Sequence, residues 1–147
     1  MKKQTKYHGE CEITVEDVWK FDNGIPGFLD EKEFIILPLQ EMEDFSILQS
    51  IKSPEIAFII MSPFTFFRDY AFKLDEQTLD QLALQDEKDV RVMVILTVKD
   101  PFDKSTANLQ APVIFNTANK KAKQVILNNT NYKTRHPLFE QKAAMKG

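Results

Sequence analysis

Cysteine, histidine and glycine are scarce in this sequence of 147 residues, which holds one Cys, two His and four Gly. A single cysteine, Cys11, closes no internal disulfide, so a disulfide-stapled fold is excluded. Four glycines exclude a collagenous chain and leave little backbone for cradling phosphate. The sequence has no G-x-G-x-x-G, P-loop, G-x-S-x-G or H-E-x-x-H motif, so the common nucleotide, hydrolase and zinc-protease signatures are missing. His8, His136 and Cys11 have no recognisable ligand spacing, and neither a metal nor any other cofactor is expected. Paired carboxylates for acid–base work arise by chance on so acidic a chain and specify no reaction. No apolar run reaches the roughly 18 residues of a membrane span. The polar start, Met1-Lys2-Lys3-Gln4-Thr5, has no apolar leader pattern. The expectation is a soluble, cytoplasmic protein for which the residues give an enzyme reading only weak support.

What is abundant points to a packed domain. The chain is 43% hydrophobic with twelve Phe, and at this length it buries most of the surface that it exposes unfolded. Apolar runs of strand length dominate, at Phe34–Leu37, Phe45–Ile51, Ala57–Met61, Val90–Val98, Val113–Phe115 and Gln124–Leu127. In the longest, Val90, Val92, Val94, Leu96 and Val98 form one apolar face, while Arg91, Met93, Ile95 and Thr97 form a mixed one. This is a strand buried on one side and partly covered on the other. Cys11 lies in a strand-like run, as a small apolar filler. Turns fall at Asn23-Gly24-Ile25-Pro26-Gly27 and at the breaks before Pro54, Pro63, Pro101 and Pro112. Asp75 caps an expected helix over Glu76–Leu84 with Leu79, Leu82 and Ala83 on one face, and Pro137 opens a second short helix to about Met145. Many short strands with one or two short helices predict a mainly β, single-domain barrel or sandwich, compatible with a monomer.

Charge is unevenly distributed. Residues 1–110 carry a net −9 and residues 111–147 a net +6, and positions 10–44 hold eleven acids against Lys20 and Lys32. Such a field attracts a basic partner and repels nucleic acid. The basic, amide-rich C-terminal third has only Phe115 and Tyr132 for base stacking, too few for a single-stranded nucleic-acid platform. Its amides Asn108 and Gln110 suit the pairing of buried backbone groups. The other conspicuous feature is the run Pro63-Phe64-Thr65-Phe66-Phe67-Arg68-Asp69-Tyr70-Ala71-Phe72. Its aromatics either plug one end of the fold or leave some rings exposed as anchors for a protein partner.

Several blocks together resemble a known family. They are Thr5-Lys6-Tyr7-His8-Gly9-Glu10, Phe21-Asp22-Asn23-Gly24-Ile25-Pro26-Gly27-Phe28, Leu48-Gln49-Ser50 and Phe66-Phe67-Arg68-Asp69-Tyr70. Further on come Thr106-Ala107-Asn108-Leu109-Gln110-Ala111-Pro112-Val113, Lys123-Gln124-Val125-Ile126-Leu127 and Arg135-His136-Pro137-Leu138. In order from Thr5 to Leu138, they resemble the bacterial flagellar assembly factor FliW family. Departures are small: Ser62 and Ala122 stand where the family commonly has Asp and Gly. Cys11 and Trp19 replace common aliphatics.

The resemblance implies one β-barrel domain over 1–138, with 139–147 as a C-terminal tail. It also implies two protein partners and no catalysis. One partner is flagellin; the other is CsrA, a basic RNA-binding regulator that represses flagellin translation. Antagonism of CsrA is expected to be non-competitive with RNA, with neither nucleic acid nor membrane bound directly. The candidate contact residues are Phe64, Phe66, Phe67 and Tyr70 for an apolar partner helix, and Glu31, Glu33 and Asp44 for the basic one. Asn108, Arg135 and His136 complete the set. The alternative is a small barrel that binds a metabolite or nucleotide, with His8 and His136 sharing a polar pocket.

Overall fold

The strands close on themselves. The computed structural model describes residues 1–39, 42–128 and 130–139. In chain order the elements are β1 (Lys2–Thr5), β2 (Gly9–Glu12), β3 (Trp19–Lys20), β4 (Glu33–Pro38), β5 (Phe45–Ser50), β6 (Ala57–Met61), α1 (Glu76–Gln81), β7 (Val90–Thr97), β8 (Thr106–Ala107), β9 (Val113–Asn116), β10 (Lys121–Gln124) and β11 (His136–Pro137). Strands β7-β6-β5-β4-β3-β10-β9 run side by side, and β9 returns to pair with β7, closing a seven-stranded barrel. The pair β3–β10 is parallel; the other barrel pairs are antiparallel. Beyond the reach of β9, the far end of β7 pairs with β8, which carries β11. Hairpin β1–β2 is a separate two-stranded sheet.

The barrel interior is recognisable because all seven strands feed it with residues of one parity. Trp19, Phe34, Leu48, Ile60, Met93, Phe115 and Ala122 are buried together, with Phe21 and Ile25 entering from the loop after β3. Phe21 meets Phe34 and Phe115 edge-on at 5.1 and 6.1 Å, the arrangement that ring quadrupoles favour. A second core lies outside the barrel. Val94, Leu96, Ile114 and Met61 point outward and are covered by Tyr70, Leu109, Val125, Leu127 and Leu138. Strand β7 thus separates two cores. Its apolar face carries the outer layer, and its mixed face, through Met93 and Ile95, lines the interior. A third cluster, Ile13, Val18 and Ile35, covers the outer face of β4.

Three expectations need correction. The strand expected over Gln124–Leu127 is instead β10, ending at Gln124. Val125 and Leu127 still donate to the Pro112 and Gln110 carbonyls at 2.9 and 2.7 Å, but Pro112 has no N–H to return, so the ladder stops. The helix expected to Leu84 ends at Gln81, and Ala83 adopts a positive φ of 53°. The side-chain amides of Asn116 and Asn119 donate to the Leu82 carbonyl at 2.8 and 3.0 Å and terminate it. Within α1 the buried side chain is Thr78, while Leu79 is exposed. Pro137 opens no helix, because it pairs with Thr106 in β11. The remainder of that expected helix, and of the expected tail beyond Phe139, lies outside the described residues.

Polar side chains hold the loops in place. Gln49, 1% exposed, donates to the carbonyls of Ser50, Pro54 and Ile56 and accepts from the Lys6 amide. Glu31, 8% exposed, accepts from the Ser50 hydroxyl and, at 2.8 Å, from the Ser53 hydroxyl. Replacing Glu31 by Ala leaves both hydroxyls without their acceptor. The expected loss is about 1–3 kcal/mol of stability, read from urea unfolding midpoints.

Candidate functional site

The aromatic run leaves β6 at Ser62, where Pro63 opens a 3-10 turn over Pro63–Thr65. The Phe67 amide returns to the Pro63 carbonyl and the Tyr70 amide to the Phe67 carbonyl, so the chain folds back on itself. That geometry sorts the rings. Phe66 turns inward and stacks on Phe45, with centroids 6.1 Å apart, while Phe67 meets the His136 ring edge-on at 4.9 Å. Tyr70, 4% exposed, sends its hydroxyl to the Leu109 carbonyl at 2.7 Å and packs against Phe64, Phe72 and Tyr132. The Tyr132 hydroxyl accepts from the Ala71 amide and donates to its carbonyl, fixing the extended segment that follows.

Phe64 is the ring left out, 47% exposed. It lines an open groove of about 750 Å³ together with Phe72, Leu74, Leu79, Leu84, Val90 and Val92. The helix α1 forms part of one wall. Its cap is Asp75, whose carboxylate accepts from the Thr78 amide at 2.8 Å. The Thr78 hydroxyl and amide hold that carboxyl below its ordinary range. Lys73, Asp86 and Glu87 supply the groove's charges.

Burial, and secondly the neighbouring Tyr132, hold the Tyr70 phenol well above its ordinary value near 10. Above that pH the unfolded chain gives up this proton before the folded protein does. Stability that is full at lower pH is therefore lost as pH rises through the ordinary tyrosine range. Tyr70→Phe is expected to cost about 1–2 kcal/mol at neutral pH through the lost bond to Leu109. It also flattens the alkaline decline, which unfolding midpoints across pH 8 to 11 measure.

The ten expected contact residues do not form one site. Tyr70 and Phe64 line the groove, whereas Phe66 and Phe67 are packed against the outer core. Glu31 is turned inward onto the two serines, so its charge is a loop anchor, while Glu33 and Asp44 are exposed. Asn108 accepts from the Ala111 amide at 3.0 Å and shapes the turn before Pro112. Arg135 is exposed and makes no ion pair among the described residues. His136 is half-buried, and its Nδ1 has no hydrogen-bond partner among the described residues. His8 has a different neighbour, with Nε2 2.7 Å from the Pro38 carbonyl oxygen, and neither histidine lines the groove. Among the described residues, no three His, Cys, Asp or Glu side chains are grouped to hold a metal. No helix of the described residues is long and apolar enough to cross a membrane. The groove walls Leu79, Leu84, Val90 and Val92 were missed as site residues, because their spacing also reads as core.

These features define a small closed β-barrel with an external aromatic layer and an open apolar groove. The family model described as FliW protein matches residues 2–138. The flagellar assembly factor FliW of Geobacillus kaustophilus is 53% identical over 144 residues, covering 98% of this chain and 99% of that protein. The Bacillus subtilis flagellar assembly factor FliW is 53% identical over 134 residues, covering 91% and 94%. A crystal structure of the flagellar assembly factor FliW superimposes with a TM-score of 0.90 at 51% identity, covering 94% of this chain and 96% of that one. This chain belongs to the FliW family of flagellar assembly factors.

Proposed function

We propose that this chain is a non-enzymatic partner switch that binds flagellin and, when flagellin is exported, captures CsrA to relieve repression of flagellin translation. Family membership over nearly the whole chain is the observation that carries the reading. Two features support the reading, one for each kind of partner. Flagellin's helical terminal segments present apolar stripes, and the groove beside Phe64 offers an apolar channel into which one face of an amphipathic helix fits. The net −9 of residues 1–110 steers a basic regulator toward the barrel and repels RNA. That antagonism acts away from CsrA's RNA surface, with no direct binding of nucleic acid or membrane, is what the resemblance to the family implies.

Calorimetric titration of the protein with purified flagellin and with purified CsrA tests the reading. Binding of each alone is expected. In a parallel assay, the protein is expected to lower the amount of labelled leader RNA that CsrA retains, without itself retaining RNA. Absence of binding to either protein refutes the switch.

A further inference from the structure

Part of β7 is an open strand edge. The Thr117 amide donates to the Asp89 carbonyl at 2.9 Å, and Arg91 and Met93 stand opposite Phe115 and Val113 in the same register. Residues 89, 91 and 93 therefore turn their backbone groups toward β9, and Val90 and Val92 turn theirs to the opposite edge. Strand β6 covers that edge at Val94 and Ile95 and then ends. Continued by two residues, its register sets Pro63 opposite Val92, and Pro63 has no N–H to give. The Pro63 carbonyl accepts from the Phe67 amide instead. Among the described residues, the Val92 N–H and C=O and the Val90 C=O make no backbone hydrogen bond along this edge. The backbone groups of residues 72–74 likewise have no hydrogen-bond partner among the described residues. Val90, Val92 and residues 72–74 all line the groove beside Phe64. Backbone groups left open along an apolar channel are what an added strand pairs with.

The chain itself supplies such a strand within reach. Phe139 meets the Phe66 ring edge-on at 6.0 Å, and Phe66 lies two residues from Phe64. The residues that follow, 140–147, span up to about 26 Å when extended, enough to pass Phe64 and enter the groove. Their pattern suits a strand, with Ala143 and Met145 on one side and Lys142 and Lys146 on the other. Charge agrees. Residues 73–91 carry six acids against Lys73, Lys88 and Arg91, and Asp86 and Glu87 belong to the groove lining. Asp86 lies 3.7 Å from Lys88, while Glu87 makes no ion pair among the described residues. Lys123, which reaches α1 from β10, is engaged with the Gln81 side chain. This excess of acid favours Lys142 and Lys146 along the rim, with Glu140 left at the root beside Phe139.

We propose that residues 140–147 lie along the open edge of β7, with Met145 in the groove, as an intramolecular strap that an incoming partner displaces. The tether places the segment at an effective concentration on the order of millimolar, so a weak contact suffices to hold it. The strap stands without the partner-switch reading; its consequence for flagellin rests on that reading. With flagellin seated in the groove, its apparent affinity falls by the fraction of time that the groove is free.

The test is amide hydrogen exchange in the full chain, in a chain ending at Phe139, and in Lys142→Glu/Lys146→Glu, with flagellin titrated into each. The amides of Phe72, Lys73, Leu74 and Val92 are expected to exchange about threefold or more faster in both variants, as for a groove freed from a strap that fills it two thirds of the time. Barrel amides such as those of Ile35 and Leu48 are expected to exchange as before, which separates loss of the strap from loss of stability. Flagellin affinity is expected to rise by the same factor. Groove amides that exchange alike in all three chains overturn the strap and leave the switch intact. Changes confined to the surroundings of Phe66 and Phe102 also overturn it, because the tail then rests elsewhere. Faster groove exchange with unchanged flagellin affinity supports the strap and overturns the groove as the flagellin seat.

Discussion

Phe64→Asp is expected to weaken flagellin binding by roughly thirtyfold or more, corresponding to the loss of at least about 2 kcal/mol at a central aromatic anchor. Folding should barely change, because the Phe64 ring is 47% exposed and its ring neighbour Tyr70 stays held by Leu109 and Tyr132. The neighbouring Phe67 provides the contrast. It is packed against the outer core and His136, so Phe67→Ala should cost roughly 2–4 kcal/mol, below a fully buried ring because it is only half-buried. Titration beside urea unfolding separates the two. Phe64→Asp should move affinity alone, and Phe67→Ala should move the unfolding midpoint first. If Phe64→Asp leaves flagellin affinity unchanged, the groove is not the flagellin site.

Gly24→Ala carries the largest expected effect on stability. Gly24 has a φ of +68°, and a Cβ there would stand 2.4 Å from the Leu29 carbonyl oxygen, a backbone atom that cannot swing aside. The strained φ alone costs of order 1–3 kcal/mol. Relieving the clash must also shift either the Leu29 backbone or the buried Ile25, so a total loss of at least about 3 kcal/mol is expected. Gly27 is the control within the same turn. Its φ is +89°, but an added Cβ meets nothing within 4 Å, so Gly27→Ala should cost only about 1–2 kcal/mol of conformational strain. Equal losses for the two variants, in urea unfolding, would refute the close approach of Gly24 to Leu29.

Much of this architecture was legible from the pattern of residues. Ala57–Met61 and Val90–Thr97 occur as strands where their apolar runs and β-branched residues place them. The alternation along Val90–Val98 also marked two unlike faces, although both turned out to be covered. Barrel closure depends on β9 returning to β7 and on the one-residue parallel match of Lys121 with Lys20, and no local pattern encodes such long-range pairings. The end of α1 was illegible for a similar reason, since Asn116 and Asn119 come from more than thirty residues away.

The candidate site was legible in part. The aromatic density at residues 64–72 marked the region, but which ring stays exposed depends on the back-folding after Pro63. The acid-rich stretch around residues 10–44 implied a basic partner, yet the charge of Glu31 is spent internally on Ser50 and Ser53. Proximity of a hydroxyl nineteen residues away leaves no mark in the charge pattern. Leu29 shows the converse. Nothing in its chemistry distinguishes it from a core leucine, yet it is exposed.

Competition between the two partners tests the central claim most directly. Fluorescently labelled CsrA bound to this protein is titrated with flagellin, and anisotropy follows the release of the label. The switch predicts that flagellin returns CsrA to its free anisotropy, and that Phe64→Asp shifts this release to higher flagellin concentration. A stable complex holding all three proteins, with the label still bound at saturating flagellin, would contradict it.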